Sequence, residues 1–197
     1  MGDWHSAGKL PPFTAFGKDV EAPGVLIAAA AQIAYRREII LVSGDASASA
    51  SPMALNVVQQ FRSLKLHHVL YLSDGHSSCE RLRTVDPQLA CVWSSFINTS
   101  RPRHAGVCVA RYWDMRFYFY DIRKHLVARL AADLGYNVLQ TDTDVVWFAN
   151  PYPILKIFGT SIISQVGTNL MRFDLSTDAF VYYVYASRRV CSPCAPC

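Results

Sequence analysis

The chain has 197 residues, of which 51% are hydrophobic and 17% are charged, and its formal net charge at pH 7 is +4. This length and composition predict one well-buried domain, and they exclude a disordered chain and any argument for two domains. The charge is mild and no basic run or known binding motif occurs, so nucleic acid is not expected as a partner.

An irregular N-terminal arm is predicted over residues 1–35, because its first part is rich in Pro and Gly. Its longest apolar run, 25–34, has half of the roughly 20 residues that a membrane span needs. The start of the chain also lacks the early apolar core of a secretory signal. We therefore expect no membrane span in this chain.

Strands and helices alternate in the next part of the chain. The run "REIILVSGD" (37–45) is typical of a buried strand that stops at a loop. A helix is predicted to begin near Ser51, a suitable N-cap, with Pro52 at the first helical position. The elements predicted after it are a strand at 67–75, a short helix at 79–85 and a strand at 90–96.

The segment 111–134 has the best helical pattern in the chain, with apolar residues at helical spacing and Gly135 placed as a C-terminal cap. The strands predicted after it lie at 136–142, 161–166, 169–173 and 180–186. This order predicts an α/β fold with a mainly parallel sheet flanked by helices. The domain is predicted to occupy 36–187, followed by a Cys/Pro tail at 188–197.

The six cysteines form two groups. Cys79, Cys91 and Cys108 are predicted to be small buried hydrophobic residues. The tail "CSPCAPC" (191–197) has metal-like spacing, but three thiolates with no fourth ligand nearby make a poor zinc site. We interpret the tail as disordered, with disulfides or a metal as alternatives, and the cysteines leave the compartment open.

Two aspartates one residue apart, Asp142 and Asp144, stand at the end of the strand 136–142. Ligands of parallel sheets bind at the carboxyl ends of strands, which predicts that Asp45, Asp74 and this pair share one edge. Alternation along an extended chain directs Asp142 and Asp144 to the same side. Such paired carboxylates suit a hard cation, Mg²⁺ or Mn²⁺. The alternative is that they are ordinary loop aspartates.

Two enzyme classes place aspartates in this way. One is the haloacid-dehalogenase type of phosphatase, whose nucleophile motif fits "VLQTDTDVV" (138–146). That fold normally begins with this strand, whereas here a long segment precedes it, so the phosphatase is the second candidate. A remnant without catalysis, which binds a nucleotide sugar or a partner, is a further alternative.

The other class is the glycosyltransferase of the GT-A fold. The stretch "KHLVARLAADLGYNVLQTDTDVVWFANPYP" (124–153) resembles the nucleotide-diphospho-sugar transferases grouped with family 77 retaining glycosyltransferases of plants and algae. The matching residues are Lys124, Gly135, Tyr136, Val138, Leu139, Asp142, Asp144, Val145, Val146, Trp147 and Pro151. The resemblance extends more loosely over 37–186.

The resemblance implies a GT-A-like, Rossmann-like fold and a metal-dependent transfer from a nucleoside-diphosphate sugar, with a UDP-sugar expected, to a hydroxyl of a glycan or glycoprotein. The donor is expected near Asp45, with Mn²⁺ or Mg²⁺ joining its diphosphate to the aspartate pair. Asp144 is expected to coordinate the cation directly. Asp142 is expected to contact the ribose or the sugar as well as the cation, and Lys124 to neutralise a phosphate.

Some features depart from the family pattern. Asn169 stands where the family has an Asn-x-Gly-type strand, but the glycine is absent, and Asp178 lies in a similar setting. All histidines precede the aspartate pair, although related enzymes often have a further histidine ligand near the C-terminus. The resemblance also implies the Golgi or secretory pathway. We therefore expect this chain, without signal or anchor, to be a fragment that is truncated at its C-terminus.

Overall fold

The computed structural model describes residues 12–44, 51–96, 122–143 and 145–156, together with two short strands at 162–164 and 181–184. The helices are α1 (Val25–Ile33), α2 (Ser51–Ser63), α3 (His76–Val85), α4 (122–128, continued by a π-helical turn over Arg129–Asp133) and α5 (Tyr152–Leu155). The strands are β1 (Glu38–Ser43), β2 (Val69–Ser73), β3 (Cys91–Trp93), β4 (Asn137–Asp142), β5 (Ile162–Ser164) and β6 (Val181–Val184).

These strands form a sheet in the order β3-β2-β1-β4-β6-β5, and each neighbouring pair is parallel. Strand β1 lies between β2 and β4 and is buried along its whole length, as expected for a parallel sheet covered on both faces. The prediction of an α/β, Rossmann-like sheet flanked by helices is confirmed. The strand predicted at 169–173 lies outside the described residues.

The two faces of the sheet pack into separate hydrophobic clusters. Ile39 and Leu41 of β1 join one cluster, whereas Ile40 and Val42 join the other, which is the alternation of a strand. The helix residues of the first cluster include Leu26, Ile33, Leu126 and Leu130, and those of the second include Val57, Phe61 and Leu82. Because both faces are covered by helices, the carboxyl edge of the sheet is where a ligand can approach.

Part of the N-terminal arm is built into this domain. Within the arm predicted over 1–35, the backbone N–H of Gly17 donates to the Cys91 carbonyl at 2.8 Å, and the N–H of Val20 donates to the Trp93 carbonyl at 2.9 Å. Helix α1 follows. The irregular conformation predicted for this arm is therefore wrong for residues 25–33, which form α1, whereas residues 12–24 contain turns and bends. Sequence patterns miss the pairing because these hydrogen bonds join residues far apart in the chain.

Cys79 and Cys91 form a disulfide that joins α3 to β3, with their Cα atoms 5.6 Å apart. Both residues are buried, as predicted, but their interpretation as separate hydrophobic residues is wrong. The sequence does not reveal the pairing, because disulfide connectivity depends on proximity in the folded chain. Cys108 and the tail cysteines lie outside the described residues.

Two predicted helix ends agree with the structure, whereas α3 begins at His76, three residues before its predicted start. Helix α2 begins at Ser51, and Gly135 has a φ of +67° at the end of α4, which is the left-handed conformation expected of a C-terminal glycine cap. The helix predicted over 111–134 is described from residue 122 onward. No helix in the described ranges is long and apolar enough to cross a membrane.

Candidate active site

The carboxyl ends of the central strands meet at one edge of the sheet. Ser43 pairs with Asp142 in the register of β1 and β4, so the last residues of these strands are neighbours. Strand β2 ends at Ser73, and Asp74 follows it at the same edge. The sequence also singles out Asp45, Asp144 and Asn169, which lie outside the described residues, so their roles stay predictions.

Asp142 presents a carboxylate at this edge, with 32% of its side chain exposed. Its Oδ1 accepts the backbone N–H of Thr143 at 2.9 Å, and its Oδ2 lies 3.3 Å from Nη1 of Arg123. An ionised carboxylate has about four acceptor positions. Asp142 can therefore accept a further ligand while both of these contacts persist.

Helix α4 brings the Arg123 side chain into contact with Asp142. The Arg123 side chain is 12% exposed and pairs with Asp142, whereas Lys124 is exposed. Sequence comparison with the family selects Lys124 and misses Arg123. The helical pattern holds the missing signal, because position 123 falls inside the buried stripe that Ile122 and Leu126 begin.

Gly44 allows the end of β1 to approach the turn after Asp142. A Cβ at position 44 would lie 2.7 Å from Cγ2 of Thr143 and 3.1 Å from the Tyr71 hydroxyl. That hydroxyl donates to the Gly44 carbonyl at 3.0 Å, which joins β1 to β2 at this edge. A larger residue at position 44 would displace Thr143, and with it the N–H that orients Asp142. The Ser-Gly-Asp turn after the first strand is the sequence signal for this position.

The chain that follows the aspartate pair is anchored on the face covered by α2. The backbone N–H of Trp147 donates to Oε1 of Gln60 at 2.7 Å, and its indole packs on Phe61 with ring centroids 5.3 Å apart. Further on, the Tyr152 hydroxyl lies 2.8 Å from Nε2 of His68, and both side chains are buried. These contacts attach the chain that follows β4 to the core.

A second polar cluster lies where β3 ends. Oε2 of Glu21 lies 2.8 Å from Nη1 of Arg129 and 3.2 Å from Nε2 of His125, and the Ser94 hydroxyl donates to Oε1 of Glu21 at 2.6 Å. The Phe96 ring stacks on His125, with centroids 3.6 Å apart. Because these contacts join α4 to the N-terminal arm, we interpret the cluster as structural.

The donor atoms at the carboxyl edge match the chemistry of a hard cation. Asp142 supplies a partly exposed carboxylate with unused acceptor positions, and carboxylate oxygens are the ligands that Mg²⁺ and Mn²⁺ prefer. Within the described ranges, no group of three or more His, Cys, Asp or Glu side chains is arranged to hold a metal. Asp142 therefore fits as one ligand of a site that would take the rest of its ligands from Asp144, water or a substrate.

Comparison with known proteins agrees with this reading of the sequence. Residues 114–189 match the family model for nucleotide-diphospho-sugar transferases, and this segment includes both aspartates of the pair. The chain is also similar to the beta-arabinofuranosyltransferase RAY1 of Arabidopsis thaliana, with 58% identity over 31 residues. The resemblance to nucleotide-diphospho-sugar transferases that the motif indicates is confirmed.

The extent of these matches is limited. The similarity to the Arabidopsis protein covers 16% of this chain and 6% of that relative. The chain thus aligns with only a small part of the relative's length. No solved structure gives a significant match.

Proposed function

We propose that this chain is the donor-binding part of a metal-dependent glycosyltransferase that moves a sugar from a nucleoside-diphosphate sugar to an acceptor hydroxyl. The observation that carries the proposal is the placement of Asp142 at the carboxyl end of a central parallel strand, within the segment that matches the transferase family. We propose UDP as the nucleoside diphosphate and a glycan or glycoprotein as the acceptor.

The residues at this edge would each make a different contact with the donor or the cation. Asp144 would coordinate Mn²⁺ or Mg²⁺ directly, and Asp142 would contact the cation and the ribose or sugar. Bound there, the cation supplies electrostatic stabilisation of the charge that develops on the departing diphosphate. The Thr143 N–H holds the Asp142 carboxylate in one orientation. Lys124, Asp45 and Asn169 remain proposed donor contacts.

Two findings favour sugar transfer over hydrolysis of a phosphate ester. The family match supports a sugar-transferase role, and the name of the Arabidopsis relative is that of a glycosyltransferase. Retention of configuration at the transferred sugar is proposed from the resemblance to family 77. The match with the family also favours the transferase over the dehalogenase-type phosphatase, and an assay of sugar transfer would separate the transferase from a remnant without catalysis.

We also propose that the chain folds in the secretory pathway, with the Golgi as the site of action. The Cys79–Cys91 disulfide supports this placement, because disulfides form and persist in oxidising compartments and are rare in the cytosol. The sequence pattern left the compartment open, and the disulfide between these two cysteines favours an oxidising one.

A thermal-shift screen of UDP, GDP and CMP, each with and without Mn²⁺, tests the proposal. At a ligand concentration a hundredfold above Kd, UDP with Mn²⁺ should raise the melting temperature by roughly 5 °C. The shift should disappear in Asp144→Ala. It should persist in Asp133→Ala, because Asp133 is exposed and precedes β4 at the opposite edge of the sheet.

Two results would contradict the proposal. One is the absence of a shift with any nucleotide–cation pair. The other is hydrolysis of a generic aryl phosphate with Mg²⁺ and without nucleotide, which would indicate the phosphatase instead.

A further inference from the structure

We infer that Arg123 is a positioning residue of the donor site, which holds the Asp142 carboxylate and competes with a divalent cation for it. The inference rests on the proposed function, because it assigns a role to Arg123 at the same aspartate pair. It adds that the cation should bind weakly alone and more tightly together with a nucleoside diphosphate.

The burial of Arg123 makes its contact with Asp142 important. Only 12% of the Arg123 side chain is exposed, and Ile122 and Leu126 of the same helix lie in the core. A guanidinium in such surroundings needs a negative partner, because burying an uncompensated charge costs free energy. Asp142 is that partner, with Nη1 and Oδ2 3.3 Å apart. The pair therefore fixes the carboxylate before any ligand arrives.

The Asp142 carboxylate is held from two sides. Oδ1 accepts the Thr143 N–H, and Oδ2 faces Arg123. A cation that approaches Oδ2 meets a positive charge already in contact with that oxygen, and like charges at such separations repel. Arg123 thus lowers the affinity of Asp142 for a cation that carries no anion with it.

A nucleoside diphosphate reverses the sign of this effect. Its phosphate oxygens bring negative charge to the cation, and an arginine beside them forms charge-assisted hydrogen bonds. The same guanidinium that opposes the cation alone then favours the cation–diphosphate pair. A purely structural arginine would not produce effects of opposite sign on the two ligands.

The chain offers a matched control in Arg83. This arginine also faces a carboxylate, with its Nη1 4.0 Å from Oε1 of Glu80, but its side chain is 55% exposed and it lies in the last turn of α3, away from the carboxyl edge. We would compare Arg123→Gln with Arg83→Gln in the whole, disulfide-bonded chain, after circular dichroism has shown that each variant is folded. Mn²⁺ binding would be measured by electron paramagnetic resonance of the free ion, and UDP binding by calorimetry at saturating Mn²⁺.

The expected result is a change of opposite sign for the two ligands. Arg123→Gln should bind Mn²⁺ alone roughly three- to tenfold more tightly, because the competing charge is removed. It should bind UDP in the presence of Mn²⁺ about tenfold more weakly, because a charge-assisted contact is lost. Arg83→Gln should stay within about twofold of the wild type for both ligands, since exposed charges are well screened.

Other outcomes overturn the inference and separate it from the proposed function. If the wild type binds UDP with Mn²⁺ but the two variants behave alike, the role of Arg123 is wrong and the donor site stands. If neither the wild type nor a variant binds UDP, the proposed function fails. If Arg123→Gln also binds Mn²⁺ with the affinity of the wild type, the inference fails as well. Should Arg123→Gln not fold, Arg123→Lys replaces it, and both affinities should change in the same directions with smaller amplitude.

Discussion

Arg123 and Lys124 carry the same charge but face different surroundings. The resemblance to the transferase family selects Lys124, because this lysine is one of the residues that match the family pattern. The structure shows Arg123 in contact with Asp142, since position 123 lies on the buried side of α4 and position 124 does not. Helical geometry contains this information, but a charged residue inside an apolar stripe is recognised only when its partner is known. That partner is 19 residues away in sequence.

His68 is a second residue whose role depends on a distant partner. It precedes β2, and its imidazole is buried beside the Tyr152 hydroxyl. Burial, together with the neighbouring His67, lowers the pKa of His68 to about 4. The neutral imidazole is therefore the form that the folded chain accommodates.

Stability should fall as the solution becomes acidic. The folded pKa of His68 lies below its ordinary value of 6.5, so the unfolded chain takes up the proton first. The contribution of His68 is complete above pH 6.5 and is lost as the pH falls toward 4, at a cost of up to about 3 kcal/mol. Urea unfolding between pH 7 and 4 should show this loss.

Substitution of each histidine separates this effect from general acid denaturation. His68→Gln should reduce the pH dependence over this range. His67→Gln should reduce it less, because His67 is less buried, although burial and Arg62 also lower its pKa. Equal pH profiles for the wild type and His68→Gln would contradict the explanation.

At the level of elements, the junction between α4 and β4 combines a predictable feature with an unpredictable one. Gly135 is recognisable from the sequence, because glycine adopts the left-handed conformation that ends a helix. The π-helical turn at Arg129–Asp133 is not recognisable. Arg37 donates to the carbonyls of Leu134 and Gly135 at 3.2 and 3.0 Å, and this support comes from a residue almost 100 positions earlier.

A comparison of two glycines measures how the contact between Arg37 and position 135 affects the free energy of unfolding. Gly135 and Gly24 both have positive φ, of +67° and +76°, so an alanine at either position should cost roughly 1 kcal/mol of unfolding free energy. A Cβ at Gly135 would also lie 2.5 Å from Nη2 of Arg37, whereas nothing lies within 4 Å of one at Gly24.

Gly135→Ala should therefore destabilise the chain more than Gly24→Ala, by about 1 kcal/mol for the disturbed hydrogen bonds. Chemical denaturation of the two variants gives the difference directly. A larger cost at Gly24 would show that the contact with Arg37 does not restrict position 135.

At the scale of the whole molecule, the disulfide and the sheet order are the features that hold distant segments together. The Cys79–Cys91 disulfide joins α3 to β3 across a sequence separation of 12. It attaches α3, the helix that follows Asp74, to β3, which is the outermost strand on one side of the sheet. A cross-link of this kind stabilises mainly by restricting the unfolded chain.

Loss of the disulfide should cost about 2–4 kcal/mol. The double variant Cys79→Ser/Cys91→Ser should melt at a lower temperature than the wild type under oxidising conditions. Both proteins should approach the same melting temperature in a reductant strong enough to open the bond. Mass spectrometry after alkylation under denaturing conditions would identify the pair, and a free thiol at Cys79 or Cys91 in the oxidised protein would contradict the assignment.

The sequence by itself determined the class of fold. Alternating apolar runs and amphipathic helices specify a parallel sheet, because local periodicity reflects which faces are buried. It also determined the resemblance to nucleotide-diphospho-sugar transferases, through the segment around Asp142 and Asp144. These features depend on neighbouring residues and are readable in chain order.

Only the tertiary structure decided the strand order, the pairing of residues 17–20 with β3, the disulfide and the contact of Arg123 with Asp142. Each of these features joins residues that are far apart along the chain, and local sequence patterns do not show which distant residues meet. The sequence specifies which side chains are to be buried, and the folded chain decides which of them meet, because that choice depends on packing across the whole sheet.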